Sequence, residues 1–461
     1  MFTSPYKIAC IILTLLISST WASAAPNIVL IMADDLGWSD LGCQGSRYYE
    51  TPHIDALAAG GLSFQNYYVY QNCAPTRAAM MSGQYSPRTG IYTVGTLERG
   101  KAENRRLMPP ENVMALPLDR ITVADAMRKA GYVTGMFGKW HLGVKGRHHP
   151  RHRGFDEWVV SNGRHFNFVT DPPSEVAPDV YLADYLTDRA LDFVQRHGQR
   201  DKPFFLYLPH FAVHSPLHAK PELIDKFEAK EKVGGHYHAT YAAMIHSVDE
   251  SVGRIVQELD RLKIRDKTVV LFTSDNGGVG GYHIPGTNQT KGTTDNAPLR
   301  EGKGTLYEGG IRVPFIAAWP GHIPSGAQSD EPIAHVDLFP TFVELAAGTL
   351  PETQTLDGVS FSQLLVDPQA RLADRALFWH FPGYLEAYIR EATWRTTPVS
   401  VIRRGNYKLF EFLEDNHLEL YDLAKDVSET QNLAASHPET VSQLHQELQK
   451  WRTGIQAAMP K

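Results

Sequence analysis

Short runs of apolar residues recur along the first two thirds of the chain, and amphipathic stretches separate them. The apolar runs span residues 27–32, 132–137, 204–208, 268–273 and 313–319. Uninterrupted runs of this length are typical of strands that are buried on both faces of a sheet. Residues 122–130 and 181–195 carry apolar side chains at helical spacing. This alternation predicts an α/β fold in which a large, mostly parallel sheet lies between layers of helices.

The pattern changes after about residue 375. Four short strand-like segments follow, over residues 376–381, 399–403, 407–412 and 418–421. Gly405-Asn406 predicts a tight hairpin turn between the second and the third segment, and residues 438–455 have one apolar helical face. We predict a main domain over residues 25–375 and a C-terminal subdomain over residues 376–461, made of a small antiparallel sheet plus one helix.

The N-terminus has the pattern of a signal peptide. Lys7 precedes an apolar run over residues 8–19, and Ala22-Ser23-Ala24 is a small-residue cleavage site. The run is shorter than the roughly 20 residues of a membrane span. We therefore expect residues 1–24 to be removed and the protein to be exported, to the periplasm or the medium, with no membrane attachment afterwards. An N-terminal membrane anchor is the alternative.

The composition is that of a soluble globular protein, with 43% hydrophobic and 21% charged residues. A formal net charge of -6 gives no reason to expect a nucleic acid as partner. No pattern predicts an oligomeric state. Outside the predicted signal peptide only Cys43 and Cys73 remain, and a domain of this size needs no disulfide. We expect Cys73 to be available for chemistry and Cys43 to be packed in the interior.

Acidic residues follow two of the predicted strands. Asp34 and Asp35 come after the first strand, and Asp275 and Asn276 come after the strand at residues 268–273. Ligand sites of parallel α/β sheets form beyond the carboxyl ends of strands. Three carboxylates and an amide oxygen favour calcium or magnesium over zinc. Each residue alone is equally typical of a helix cap or an Asx turn; the two groups together favour a metal site.

Cys73 lies just before a predicted helix start. Pro75 suits the first helical turn, and Gly83 suits the end of the helix. Backbone N–H groups at this position stabilise negative charge, and Arg77 lies one turn further along. A single cysteine at a helix start is usually structural, so the interpretation depends on the whole Cys-x-Pro-Thr-Arg string.

Five motifs in this order resemble those of the formylglycine-dependent, or type I, sulfatase family, which has an alkaline-phosphatase-like fold. They are Asp34-Asp35, Cys73-x-Pro75-Thr76-Arg77, Gly138-Lys139-Trp140-His141-Leu142-Gly143, Asp275-Asn276-Gly277, and Gly302-Lys303-Gly304 with Glu308-Gly309-Gly310. The match extends over residues 27–320, and residues 420–433 resemble the closing segment of the family. One departure is Met81, where the family usually has leucine; both are apolar helix formers.

The resemblance implies a sulfuric ester hydrolase in which a maturase oxidises Cys73 to formylglycine. One hydroxyl of the hydrated aldehyde would attack sulfur, and the second would allow release of sulfate. The resemblance further implies one calcium ion, held by Asp34, Asp35, Asp275, Asn276 and the modified Cys73.

The same resemblance implies roles for five other residues. Arg77 would position the nucleophile, and Lys139 and Lys303 would bind sulfate oxygens. His141 would accept the proton that drives sulfate release, and His214 would protonate the leaving alcohol. His210 and His218 flank His214, which is preferred for its His-x-Pro context.

A sulfated carbohydrate is the expected substrate for three reasons. The protein is expected to be exported, a cationic loop over residues 145–153 could attract a polyanion, and several aromatic side chains are suited to sugar stacking. These aromatic residues are Trp140, Trp158, Trp394 and Tyr384, although tryptophans more often pack in the core or at its edge. An algal galactan such as carrageenan is one candidate, and glycosaminoglycans remain open. The loop is equally typical of a solvated surface. The alternatives are a phosphate mono- or diester hydrolase of the same superfamily and a non-catalytic protein that binds sulfated glycans.

Overall fold

The computed structural model describes residues 25–284, 287, 289–387 and 394–461. The predicted signal peptide and the alternative membrane anchor lie outside these residues. In the described part of the chain, no helix is both long and apolar enough to cross a membrane.

The apolar runs form strands, as the sequence predicts. The strands are β1 (Asn27–Ala33), β2 (Leu62–Phe64), β3 (Tyr67–Tyr68), β4 (Val133–Gly138), β5 (Glu157–Val160), β6 (Phe204–Pro209), β7 (Thr268–Ser274), β8 (Tyr282–His283), β9 (Thr290–Lys291), β10 (Phe315–Ala318), β11 (Ala327–Ser329), β12 (Ile333–Ala334), β13 (Ala376–Phe381), β14 (Leu385–Glu386), β15 (Trp394–Thr396), β16 (Val399–Arg404), β17 (Tyr407–Phe412) and β18 (Leu418–Asp422).

The four helices that the sequence predicts are also present. The α-helices are α1 (Pro52–Ala59), α2 (Cys73–Ser82), α3 (Ser86–Thr89), α4 (Val123–Lys129), α5 (Leu182–His197), α6 (Pro221–Glu228), α7 (Ala239–Arg261), α8 (Glu308–Ile311), α9 (Leu338–Leu345), α10 (Ser362–Val366) and α11 (Pro438–Ile455). Thr122 and Asp125 close the start of α4 with a reciprocal capping box.

The main sheet has eight strands in the order β11-β2-β10-β7-β1-β6-β4-β5. The five strands from β7 to β5 are parallel, and β10 runs antiparallel to both of its neighbours. The prediction of a mostly parallel sheet is confirmed. The reversal of β10 follows from its connection: between β7 and β10 the longest helix is the four-residue α8, so the chain re-enters the sheet from the edge at which β7 ends.

Alternate side chains of β1 enter two different cores. Ile28, Leu30 and Met32 pack with residues of α2, α4 and α9, and Val29 and Ile31 pack with residues of α5 and α7. Both faces of the strand are therefore buried, which explains why its sequence is an uninterrupted apolar run rather than an alternating one.

The C-terminal sheet is antiparallel, in the order β13-β16-β17-β18. Arg404 and Tyr407 face each other across the predicted two-residue turn, and Gly405 there has a φ of 56°. The apolar face of α11 covers the sheet, since Leu444 and Leu448 belong to one cluster with side chains of β16 and β17. The sheet begins at Ala376; the division at residue 375 is retained as a proposal.

Candidate functional site

Four neighbouring strands end at one place. In the sheet order β7-β1-β6-β4, the segments that directly follow these strands contain, respectively, Asp275-Asn276, Asp34-Asp35, His214 and Lys139-Trp140-His141. Because parallel strands present their carboxyl ends at the same edge, these segments converge. Hydrogen bonds join them: the amide of Asp34 donates to the carbonyl of Ala212 (2.9 Å), and that of Lys139 donates to the carbonyl of Pro209 (2.8 Å).

Two glycines allow this convergence. Gly138 has a φ of 140°, and a Cβ there would lie 1.9 Å from the carbonyl oxygen of Pro209. A Cβ on Gly277 would lie 1.8 Å from the carbonyl oxygen of Gly309. Only glycine permits such close backbone approaches, so both motif glycines have a structural reason.

The acidic residues form one buried cluster with uncommitted oxygens. The side-chain amide of Asn276 donates to Asp35 Oδ1 at 2.8 Å, and the backbone amide of Asp35 donates to Asp275 Oδ1 at 3.2 Å. Asp34 Oδ1 and Asn276 Oδ1 are buried without a hydrogen-bond partner. Buried oxygen atoms of this kind are costly unless a ligand satisfies them.

Three cations pair with the three carboxylates. Lys139 Nζ donates to Asp34 Oδ2 at 2.5 Å, and Lys303 Nζ lies 2.6 Å from Asp35 Oδ1. Arg77 donates to Asp275 Oδ2 from Nε (2.9 Å) and from Nη2 (2.7 Å). We call these six residues the site cluster: Asp34, Asp35, Arg77, Lys139, Asp275 and Lys303.

The electrostatic environment shifts the pKa values of Asp34 and Asp275 in opposite directions. Burial alone would raise the pKa of Asp34, but Lys139, His214 and Arg77 outweigh it and hold the pKa well below its usual value. For Asp275, burial and the neighbouring Asp34 carboxylate outweigh Arg77 and raise the pKa to about 6.

Cys73 is the first residue of α2, rather than the residue before it, and the helix ends at Gly83 as predicted. The thiol is buried, and burial raises its pKa. Its Sγ lies 3.3 Å from His141 Nδ1 and 3.5 Å from Lys139 Nζ. The side chain thus lies between the histidine and the lysine of the same sequence motif.

The two predicted acid–base histidines lie in different surroundings. Burial, together with the charges of Lys139 and Arg77, lowers the pKa of His141 to about 3, so its imidazole is neutral at neutral pH. His214 is partly exposed, and its Nε2 lies 3.7 Å from Asp35 Oδ2. His210, by contrast, is fully buried and hydrogen-bonded to Ser251 Oγ, and His218 is exposed. The geometry favours His214.

A cavity of about 380 Å³ opens above this cluster, within the usual range of ligand pockets. The predicted residues Cys73, Lys139, His141, His214 and Lys303 line it. The sequence analysis missed the rest of the lining, because no local motif marks these positions. They are Asn72, Thr93, Val94, Arg99, Asn162, Gly163, Phe211, Ser215, Leu385 and Arg395.

The structure contradicts three expectations, namely that Trp140 and Tyr384 could stack on a sugar and that Cys43 lies in the interior. Trp140 and Tyr384 are fully buried and offer no face to a sugar; they fill the core, as aromatic side chains commonly do. Trp158 and Trp394 are half-buried. Cys43, expected in the interior, is exposed.

The basic loop over residues 145–153 is mixed in character. Arg153 is buried and donates to the carbonyl oxygens of Leu116, Pro117 and Arg120, which is a structural role. Lys145, Arg147 and Arg151 are exposed, as are other parts of the loop. No residue of the loop lines the cavity, so the structure does not place its charge beside the thiol.

An α/β sheet with a buried cysteine, cations and oxygen ligands at its carboxyl edge defines a class of hydrolase for anionic esters. The sulfatase family model matches residues 26–349, and the model described as N-sulphoglucosamine sulphohydrolase, C-terminal, matches residues 302–454. The chain belongs to the type I sulfatase family and is a sulfuric ester hydrolase.

Named relatives agree with this assignment. A sulfatase of Formosa agariphila is 35% identical, over 90% of this chain and 86% of that protein. Human N-acetylgalactosamine-6-sulfatase is 34% identical, over 78% of this chain and 69% of that protein. The crystal structure of Ps i-CgsB in complex with k-i-k-neocarrahexaose has a TM-score of 0.77 and 30% identity, over 93% of this chain and 92% of that chain.

Proposed function

We propose that this sulfatase removes sulfate from a sulfated carbohydrate, with formylglycine derived from Cys73 as nucleophile and one calcium ion as cofactor. The observation that carries the proposal is the position of Cys73 Sγ, within 3.5 Å of both His141 and Lys139 and beside buried carboxylates that share a possible metal position with it. A formylglycine-generating maturase and export, to the periplasm or the medium, belong to the same proposal.

The residues present fit a calcium ion. Asp34, Asp35, Asp275 and Asn276 supply hard oxygen ligands, and two of their oxygens have no partner within the described protein. The site cluster holds three carboxylates and three cations, so its formal charge is zero. A divalent cation would make the cluster positive, which suits an anionic ester. When bound, calcium would acidify the nucleophile and neutralise charge on sulfate oxygens.

Residues of the chain would carry out the other steps of the reaction. The aldehyde hydrate supplies one hydroxyl for attack on sulfur and a second whose deprotonation releases sulfate. Lys139 and Lys303 would donate to sulfate oxygens, and Arg77 would position the nucleophile by way of Asp275. His141, neutral because its pKa is low, would accept the proton of the second hydroxyl. His214, at the cavity wall, would protonate the leaving alcohol.

The carbohydrate assignment follows from the relatives. One relative is named for N-acetylgalactosamine 6-sulfate, and one similar structure contains a neocarrahexaose. Both names point to carbohydrates, and the cavity of about 380 Å³ lies within the usual size range of ligand pockets. An algal galactan such as carrageenan and a glycosaminoglycan are both within the proposal.

The test combines mass spectrometry with a matched pair of cysteine variants. Protein co-produced with a maturase should carry formylglycine at residue 73 and hydrolyse sulfate from at least one oligosaccharide of a carrageenan and glycosaminoglycan panel. Cys73→Ala should lower kcat by at least about 10⁴-fold, since it removes the nucleophile. Cys43→Ser, at the exposed thiol, should keep full activity.

Two outcomes would count against the proposal. Full activity of protein with unmodified Cys73 would remove formylglycine from it. A preference for phosphate esters over every sulfated sugar of the panel would replace the substrate class.

A further inference from the structure

We propose that Arg99 and Arg395 form a second anion subsite, which binds a sulfate or carboxylate that the substrate carries in addition to the scissile sulfate. The inference rests on the proposed function, because it assigns the substrate of that same cavity to polyanionic carbohydrates. Both arginines line the cavity together with Cys73, Lys139 and Lys303.

The two arginines come from different parts of the chain. Arg99 belongs to the loop after α3, where its Nη2 donates to the carbonyl oxygen of Val94. Arg395 lies in β15 of the C-terminal region. The two segments touch, because Trp394 Nε1 donates to the carbonyl oxygen of Asn104 at 3.2 Å. The subsite therefore lies where the main domain meets the C-terminal region.

The backbone next to Lys303 makes room for Arg395. Gly304 has a φ of 88°, and a Cβ there would lie 2.5 Å from Nε and from Cζ of Arg395. The guanidinium also lies 5.9 Å from the ring centroid of Tyr282. The side chain of Arg395 therefore packs against the residue that follows Lys303, and Lys303 and Arg395 line the same cavity.

The charge of the cavity wall supports an additional anion. Among the described residues that line the cavity there are two lysines and two arginines, and there is no aspartate or glutamate. The lysines lie against Asp34 and Asp35 at the bottom of the site, where the scissile sulfate is expected. The arginines belong to the walls, and a guanidinium binds sulfate or carboxylate oxygens in a planar, two-point manner.

The basic loop over residues 145–153 does not compete for this role. It does not line the cavity, and its buried Arg153 is committed to backbone carbonyls. Recognition of a multiply charged substrate at the reacting centre is therefore assigned to Arg99 and Arg395.

Binding of small sulfonates tests the subsite without any knowledge of the sugar. We would measure Kd by calorimetry, at fixed ionic strength, for benzenesulfonate and the three benzenedisulfonate isomers with the full-length, calcium-loaded, formylglycine-containing protein. The tightest disulfonate should bind at least about tenfold more tightly than benzenesulfonate, as expected for one charge-assisted contact. Arg99→Gln and Arg395→Gln should each reduce this ratio to less than about threefold and leave benzenesulfonate within about twofold.

The controls separate the subsite from folding and from general charge. Arg147→Gln, on the exposed loop, should keep the wild-type ratio; an equal reduction there would overturn the proposal, because it would show a long-range field. Arg395→Lys keeps the charge and should give an intermediate ratio if Arg395→Gln does not fold. No preference for any disulfonate in the wild type, or equal weakening of both ligand types in the arginine variants, would also overturn it.

The measurement is independent of turnover. A protein that shows the ratio and its loss in the variants but hydrolyses no sulfated carbohydrate would refute the proposed function and leave the anion subsite in place. Hydrolysis of a sulfated carbohydrate without a disulfonate preference would support the proposed function and refute the anion subsite.

Discussion

Two of the buried charge clusters in the described part of the chain differ in how their carboxylates are paired and in whether a cavity lies above them. The site cluster lies under an open cavity, and two oxygens in or beside it, Asp34 Oδ1 and Asn276 Oδ1, have no hydrogen-bond partner among the described residues. The second cluster, which we call the sealed cluster, consists of Glu308, Lys408 and Glu429. All three of its side chains are fully buried.

Both carboxylates of the sealed cluster are paired with Lys408 inside the protein. Lys408 Nζ lies 2.9 Å from one oxygen of Glu308 and 2.9 Å from one oxygen of Glu429. The second oxygen of Glu308 accepts the hydroxyl of Tyr68 at 2.7 Å, and that of Glu429 accepts the backbone amide of Glu308 at 2.7 Å. Glu429 Oε1 accepts no hydrogen bond among the described residues, so the ion pair with Lys408 is what compensates its charge.

The difference indicates what each cluster does. Lys408 lies on β17 and Glu308 begins α8, so the sealed cluster joins the C-terminal sheet to the main domain, and none of its three residues lines the cavity above the site cluster. In the site cluster, Asp34 Oδ1 has no hydrogen-bond partner among the described residues, and a ligand in the cavity would satisfy it. Buried charge alone therefore does not identify an active site; incomplete pairing beside a cavity does.

The largest effects, on kcat/KM and on the free energy of unfolding, are expected from two matched lysine variants, one in each cluster. Lys139→Met should lower kcat/KM for a sulfate ester by roughly 10²–10³-fold, the usual cost of losing one transition-state donor. With calcium bound, its free energy of unfolding should change by less than about 2 kcal/mol, because the metal still compensates Asp34.

Lys408→Met should show the reverse. It leaves two buried carboxylates without their cation, so the free energy of unfolding should fall by about 3–5 kcal/mol, while kcat/KM of the folded protein stays within about threefold. Urea unfolding and steady-state kinetics measure the two quantities. Lys425→Met, at an exposed lysine, should be nearly neutral. Equal loss of activity in both buried-lysine variants would contradict the division of roles.

A smaller effect is expected from calcium, and only at the site cluster. Calcium at about 100 times its Kd should raise the free energy of unfolding by about 2.7 kcal/mol over chelator-treated protein. Asp275→Asn should reduce this difference, since it weakens one ligand, and Lys408→Met should retain it. Calorimetric scans with calcium and with chelator give the comparison; a calcium effect that survives Asp275→Asn unchanged would place the ion elsewhere.

The positions of the clustered acidic residues were predictable because each follows an apolar run that is visible in the sequence. Asp34 and Asp275 directly follow β1 and β7, and those strands are adjacent in the sheet. The antiparallel direction of β10 was not predictable from its apolar pattern, since it depends on the route of the connecting chain. Strands such as β2 and β11, with three residues each, are too short to show a periodicity.

The cavity walls were harder to predict, because tertiary packing decides them. Arg395 lies on β15, which pairs with β14 in a separate two-stranded sheet, and no spacing rule relates it to Cys73. Burial has the opposite consequence for two other residues. Trp140 and Arg153 have residue types that suit sugar and sulfate, yet their side chains are buried at 1% and 3% exposure and serve the core and the backbone.

The smallest effect concerns pH and the sealed cluster. Burial, with the adjacent Glu308 carboxylate and against the charge of Lys408, raises the pKa of Glu429 to about 7 from an ordinary value of 4.5. The folded state then binds this proton more tightly than the unfolded chain does. The stabilisation it contributes is complete below about pH 4.5 and is lost as the pH rises through 7.

Glu429→Gln should remove this dependence. The free energy of unfolding of the wild type minus that of Glu429→Gln should fall between pH 4.5 and pH 8, by on the order of 1–3 kcal/mol, in urea titrations at several pH values. Glu439→Gln, at an exposed glutamate of α11, should give a flat difference. A difference that rises with pH would mean that Lys408 outweighs burial at Glu429, and the sealed cluster would then hold two full negative charges at neutral pH.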